Sequence, residues 1–380
     1  MRLNLLNELS ALDHASRRGL TGPERWHLDT PLLLGLIVVA LLGLVVLYSG
    51  AHQESRMLLR QVVHLLIGFA VLFLVAQCPL HWLHRASPWL YGLGVLLLLA
   101  VLVIGAVGQG ARRWLDLGVI RFQPSEIMKL AVPMMLARYL TYRPLPPRWP
   151  QLLGGAGIIL LPFVLIVLQP DLGTALLVAA SGAFLLFLAG IGWRLIAALG
   201  LLAAIAAPLF WQFGMHEYQR QRVLTFLDPT SDPLGSGWNI IQSQIAIGSG
   251  GLYGKGWLNS TQSRLEFLPE SATDFIFAVY AEEFGLIGAA ILLLLYLFLV
   301  GRGLLVAMRA PQAFARLLGG SLALVFFVYV FVNVGMVSGL LPVVGLPLPL
   351  VSYGGTALVT IMAGFGMLMR IATQRSRTPT

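Results

Sequence analysis

The sequence predicts an all-α polytopic membrane protein with about ten transmembrane helices and a large external loop between spans 7 and 8. Three observations predict this. Hydrophobic residues make up 58% of the 380 residues and charged residues only 11%, whereas a soluble domain is roughly a quarter charged. Mean hydropathy is +0.83. Apolar runs of the ~17 to 25 residues that cross a bilayer as helix recur near 31–50, 60–78, 88–107, 124–141, 152–168, 172–190, 192–212, 275–300, 317–340 and 350–369.

In order along the chain, residues 1–30 are polar. Leu5, Leu6, Leu9 and Leu12 recur at helical spacing beside Arg17 and Arg18, the pattern of a short helix lying on the membrane surface, with a disordered tail as the alternative. The first span is too long for a signal-peptide core and lacks a small-residue cleavage site, so it is read as uncleaved. His81 and His84 read as part of a short solvated loop beside Arg85, not as a metal site. The fourth span is the least apolar, because it carries Glu126, Lys129 and Arg138. Cys78 is the single cysteine, which excludes an internal disulfide and a thiolate metal cluster. The chain reads as one integral membrane domain, 1–380. It has a cytoplasmic N-terminal segment (1–30), a large external loop (213–273) and a cytoplasmic tail (370–380).

Orientation follows from the positive-inside bias. With ten spans, 15 of the 25 Lys and Arg residues but only 4 of the 16 acids fall on the side of the termini, which is therefore cytoplasmic. The exceptions carry information. Arg56, Arg60, Arg112, Arg113 and Arg121 sit in or beside short external loops, with Lys129 in the fourth span. A cationic cluster held against the topological bias points to an anionic ligand, with lipid headgroups as the plainer explanation.

Within "GQGARRWLDLGVIRFQPSEIMK", 108–129, Pro124 suits the first turn of a helix. Glu126 and Lys129, three apart, can pair on one face. Arg112 and Arg113 offer forks that fit phosphate oxygens. In "QPDLGTA", 169–175, Asp171 reads as an N-cap. "GSGGLYGKG", 248–256, lacks the first glycine and the final Ser or Thr of a P-loop, so its glycines are read as letting a compact loop lie close to the protein surface. "DPTSDP", 228–233, is turn punctuation. "GMVSGLLPVVGLPLPLVSYGG", 335–355, is irregular backbone between apolar spans. Such backbone is tolerated only where protein covers it or it lines a cavity, so it is expected to re-enter the membrane and close the external face of one.

"RLEFLPESATDFIFAVYAEEFG", 264–285, holds five carboxylates. Pro269 leaves Glu266 and Glu270 in the loop, and Thr273 or Asp274 is expected to cap the eighth span. At 3.6 residues per turn, Glu282 and Glu283 are rotated about 80° and 180° from Asp274, so they are expected to be satisfied inside the bundle.

Taken together, "GARRWLDLG", "FQPSE", "QPDLGTA", "QRQRV", "GKGW", "FLPESATDFIFAVYAEE" and "GLPLPLVSYGG" resemble, in this order, the SEDS family of bacterial shape, elongation, division and sporulation proteins. The resemblance implies a ten-span peptidoglycan glycosyltransferase that polymerises lipid II on the outer face of the cytoplasmic (inner) membrane, acting in elongation and rod-shape maintenance. It implies as partners a class B penicillin-binding protein and other elongation-complex membrane proteins, with no nucleic acid. It also places the family's essential aspartate on Asp274, its glutamate and lysine on Glu126 and Lys129, and an arginine on Arg60.

A glycosidase needs two carboxylates because an alkoxide leaves poorly. A diphosphate leaves as a stable anion, so one base and several cations suffice. Asp274 is accordingly the candidate catalytic base. Arg60, Arg112, Arg113, Glu126 and Lys129 are the candidates for binding or positioning the diphosphate. No cofactor is fixed by the residues; a divalent cation, Mg or Mn, is the candidate to share the diphosphate charge. The alternatives are a flippase for the lipid-linked precursor and a scaffold for the transpeptidase.

Overall fold

The structure, a computed structural model, describes residues 26–108, 111–116, 121–214, 217–229, 237–265 and 267–374. The N-terminal leucine pattern, Glu266, residues 230–233 of the turn segment and the last six residues of the tail lie outside the described residues.

Three helices open the fold: α1 (Thr30–Gly50), α2 (Ser55–Gln77) and α3 (Leu80–Ile104). A small antiparallel sheet follows, in the order β1 (Ala106–Gly108), β2 (Ala111–Asp116), β3 (Arg121–Phe122). Next come α4 (Pro124–Thr141), α5 (Trp149–Val167), α6 (Leu172–Leu188) and α7 (Trp193–Leu209), the last running into a π-helical turn at Phe210–Gly214. The segment expected as loop carries α8 (Glu217–Leu227), α9 (Trp238–Ser249) and α10 (Thr261–Arg264). The chain closes with α11 (Ile276–Arg309), α12 (Ala313–Val337) and α13 (Thr356–Ala372). Among the described residues, α1, α2, α3, α5, α11 and α12 are long and apolar enough to cross a membrane, and α6, α7 and α13 are shorter apolar helices.

Two differences from the sequence reading have a physical reason in neighbouring parts of the chain. Helix α3 starts at Leu80 and continues through Pro88, so His81 and His84 are helical instead of looped. A proline within a helix removes the hydrogen bond to the carbonyl four residues back. That carbonyl, of His84, instead accepts from Arg138 Nη1 at 2.6 Å. The same repair recurs in α5, where Pro162 releases the Ile158 carbonyl and Tyr91 on α3 donates its hydroxyl there at 2.9 Å. Neighbouring helices thus satisfy what the prolines expose.

Helix α11 is the second difference. Its 34 residues extend about 51 Å at 1.5 Å per residue, longer than a bilayer core requires. Gly285, at φ 66°, breaks its helical geometry one-quarter of the way along. At its far end Arg302 grips Asp29 with two hydrogen bonds, of 3.1 and 2.7 Å, while Asp29 caps α1 through the Leu32 amide. Bidentate geometry of this kind is the stronger form of ion pair.

Candidate functional site

The glycine- and proline-rich segment after α12 threads back between helices α1, α2, α11 and α12. An added Cβ at Gly43 of α1 would sit 2.5 Å from the Leu350 carbonyl, so a side chain there would displace the segment. Tyr296 of α11 donates to the Pro349 carbonyl at 2.6 Å. On α2, Gln61 donates to Ser352 O at 3.1 Å and accepts from Gly354 N at 3.3 Å. Irregular backbone therefore finds partners from every side.

This segment holds the approach to α11. Ser352 donates its hydroxyl to the Thr273 carbonyl at 2.5 Å, and the Tyr353 amide donates to Ala272 O at 2.9 Å. Asn333 of α12 donates to both the Asp274 carbonyl (2.9 Å) and the Leu346 carbonyl (2.7 Å). The expected cap is corrected here. Helix α11 starts at Ile276 with Phe275 at its cap position and no side-chain cap, and Thr273 donates its hydroxyl to Glu270 instead. Turn hydrogen bonds from the Thr273 and Phe275 amides to the Glu270 carbonyl carry the chain into the helix. Asp274 itself is half-buried, and a Cβ at Gly345 would lie 3.5 Å from its Oδ2.

The helix beginning at Pro124 supplies the second charged group. Glu126 and Lys129, each almost fully buried, pair at 2.6 Å as their spacing predicted. The Lys129 ammonium also lies 5.0 Å from the centre of the Tyr329 ring, a cation–π distance. Tyr329 and Asn333 are four residues apart, one turn of α12. One face of α12 therefore carries Lys129 at one turn and Asp274 at the next. Beside Lys129 an apolar-walled cavity of about 40 Å³ opens between Tyr329, Phe326, Ile361 and Phe365.

Asp171 caps α6, accepting from Thr174 N at 3.2 Å, and does more than cap. It also accepts from Gln123 at 2.9 Å and faces Arg113 Nη1 at 4.0 Å, while Arg113 Nη2 donates to the Pro170 carbonyl at 2.7 Å. Two donors of Arg113 are thus tied to the α5–α6 turn. The first turn of α6 abuts the same segment, since a Cβ at Gly173 would be 2.7 Å from Val344 O. Arg60 is exposed on α2, one residue before Gln61. Arg112 lies on β2 beside Arg113, and its side chain lies outside what the structure describes.

Glu282 and Glu283 are both buried, but their partners correct the sequence reading in part. Glu283 accepts from Ser49 of α1, inside the bundle. Glu282 is satisfied by the glycine-rich segment and its continuation: Lys255 Nζ at 2.6 Å, Ser260 Oγ at 2.6 Å, and Thr261 N and Oγ1 at 2.9 and 2.7 Å. The Gly285 break exposes backbone groups, and the segment bonds to the broken turn. Lys255 and Gly256 amides donate to Glu282 and Glu283 carbonyls at 3.0 and 2.9 Å, and the Leu286 amide returns to Gly251 O at 2.9 Å. Close backbone approach explains the glycines, because a Cβ at Gly254 would meet Glu283 O at 2.1 Å.

Among the described residues, no group of three or more His, Cys, Asp or Glu side chains could hold a metal ion. Asn333, Gln61 and Ser352, which hold the backbone around Asp274, were not singled out from the sequence. A lone Asn within the apolar run 317–340 was the available signal, because a polar amide in such a run is costly unless it is bonded.

The family model FTSW_RODA_SPOVE, described as cell cycle protein, matches residues 26–377. Peptidoglycan glycosyltransferase MrdB of Escherichia coli K12 is 53% identical over 352 residues, 93% of this chain and 95% of that protein. The probable peptidoglycan glycosyltransferase FtsW of Geobacter sulfurreducens is 36% identical over 374 residues, 95% and 99% of the two chains. A solved chain described under structural coordination of polymerization and crosslinking by a peptidoglycan synthase complex superposes with a TM-score of 0.79 at 35% identity. It covers 91% of this chain and 97% of its own. The crystal structure of the rod shape determining protein RodA from Thermus thermophilus gives 0.69 at 33% identity, covering 91% and 96%.

Proposed function

We infer the reaction from one premise: this chain belongs to the FtsW, RodA and SpoVE family, the SEDS proteins, and is a membrane-embedded peptidoglycan glycosyltransferase. It polymerises lipid II into glycan strands during elongation and rod-shape maintenance. The termini lie in the cytoplasm and the Asp274 end faces the periplasm, across the bacterial inner membrane. Its partners are a class B penicillin-binding protein, which crosslinks the product, and the other membrane proteins of the elongation complex.

Asp274 takes the proton from the acceptor sugar hydroxyl as that oxygen bonds to the donor's anomeric carbon. The bond from that carbon to the diphosphate breaks, and the electron pair leaves with the polyprenyl diphosphate. Lys129, Arg60, Arg112 and Arg113 bind the diphosphate charge, Glu126 orients Lys129, and the apolar cavity beside Lys129 leads toward the polyprenyl chain. The observation that carries this reading is the face of α12 on which Tyr329 and Asn333 hold Lys129 and the Asp274 backbone one turn apart.

Presenting lipid II only on the outer leaflet of vesicles, with the partner penicillin-binding protein present, tests the reading. Glycan strands made there support it. Movement of lipid II between leaflets with no polymer would establish a flippase instead.

A further inference from the structure

A second recess lies at the opposite end of the bundle. It has a volume of about 540 Å³ and lies between the α4–α5 and α6–α7 connections, with Pro146, Pro147, Trp149, Gly190 and Arg194 in its wall. Helix α6 separates the two ends. Its 17 residues rise about 25 Å, close to a hydrocarbon core's thickness. With the Asp171 end at one membrane surface, the recess is at the other.

The chemistry of the recess is one-sided. Arg143 and Arg148 are exposed on the α4–α5 connection, and Arg194 is exposed in the first turn of α7. Between 138 and 200 the sole acid is Asp171, at the far end. Arg138 is already committed to the His84 and Arg85 carbonyls. Trp149 and Trp193 are 66% and 75% exposed, and indole rings in this position sit at headgroup level. Gly190, at φ 92°, lies close to Pro146, since a Cβ there would be 3.5 Å from the Pro146 Cβ. Beyond the recess, Leu201 and Leu202 of α7 are exposed.

We propose that this recess binds the headgroup of an anionic phospholipid from the adjoining leaflet, which the orientation above makes the cytoplasmic one. The phosphate lies against the Arg194 guanidinium in the wall, Arg148, next in sequence to the lining Pro147 and Trp149, adds its charge at the rim, Trp149 marks the boundary between headgroup and acyl chain, and the chains run along α7. The lipid would fix the α4–α5 connection, and thus the helix that carries Lys129, from the side opposite the reaction.

Native mass spectrometry of the full chain in detergent tests this, titrating dioleoylphosphatidylglycerol against dioleoylphosphatidylcholine. Each arginine near an anionic surface contributes enough that losing two should weaken binding on the order of thirty-fold. Wild type should retain phosphatidylglycerol over phosphatidylcholine. The double variant Arg148→Ala, Arg194→Ala should lose that preference, and Arg309→Ala, at the same end but outside the recess, should keep it. Equal retention of the two lipids by wild type, or undiminished phosphatidylglycerol binding by a double variant with wild-type elution and helicity, would overturn the proposal. The readout is binding, so it stands or falls separately from the glycosyltransferase mechanism.

Discussion

Replacing Glu282 with alanine removes a carboxylate that is 0% exposed and accepts four hydrogen bonds of 2.9 Å or less from Lys255, Ser260 and Thr261. Removing one partner of a buried pair costs about 3–5 kcal/mol when the other stays buried. The Lys255 side chain is 29% exposed and can turn to water, which lowers the loss to about 2–4 kcal/mol. At ~1.4 kcal/mol per decade, the open state of the segment rises by roughly 30- to 1000-fold. Amide hydrogen exchange reads this directly at Lys255 and Gly256, whose amides bond to Glu282 and Glu283 carbonyls. Their protection should fall by about one and a half to three decades, with Glu282→Gln intermediate because it keeps an acceptor. Unchanged protection at both amides in the alanine variant would refute the clasp.

Gly254→Ala should open the same segment without touching any charge, since the new Cβ meets Glu283 O at 2.1 Å and φ is 80°; exchange at Gly256 should rise as it does for Glu282→Ala. Lys129→Met leaves Glu126 buried without its ion pair and should lower thermal stability by about 3–5 kcal/mol. Adding Glu126→Gln should restore stability but not polymerisation, which a melting curve and a glycan assay on the double variant separate. Asn333→Leu removes the donor to the Asp274 and Leu346 carbonyls. Polymerisation turnover should fall at least tenfold while lipid II binding and elution volume hold.

The helices were legible because a bilayer makes length and apolarity sufficient signals; the run at 31–50 became Thr30–Gly50. The Glu126–Lys129 pair and the Asp171 cap were legible because both are local, set by spacing along one helix. What escaped the sequence was long-range. Nothing near Pro88 announces that Arg138, fifty residues on, will fill its vacant carbonyl. The partners of Glu282 lie 21 to 27 residues upstream, and the Gly285 break that admits them shows in the sequence only as one more glycine. The cap expected at Thr273 or Asp274 failed because Thr273 bonds to Glu270 and Ser352, in the segment after α12, holds the Thr273 carbonyl instead. The strands at 106–122 were missed because two to six residues per strand give too short an alternation to read.

The most direct measurement is glycan synthesis by Asp274→Asn, reconstituted with its partner penicillin-binding protein and supplied with lipid II, with and without chelator. The amide nearly matches the carboxylate in size and cannot take the acceptor proton, so the rate should fall by about 10²- to 10⁴-fold, with elution and thermal stability at wild-type values. Glycan made by the variant at the wild-type rate would contradict the assignment of the base.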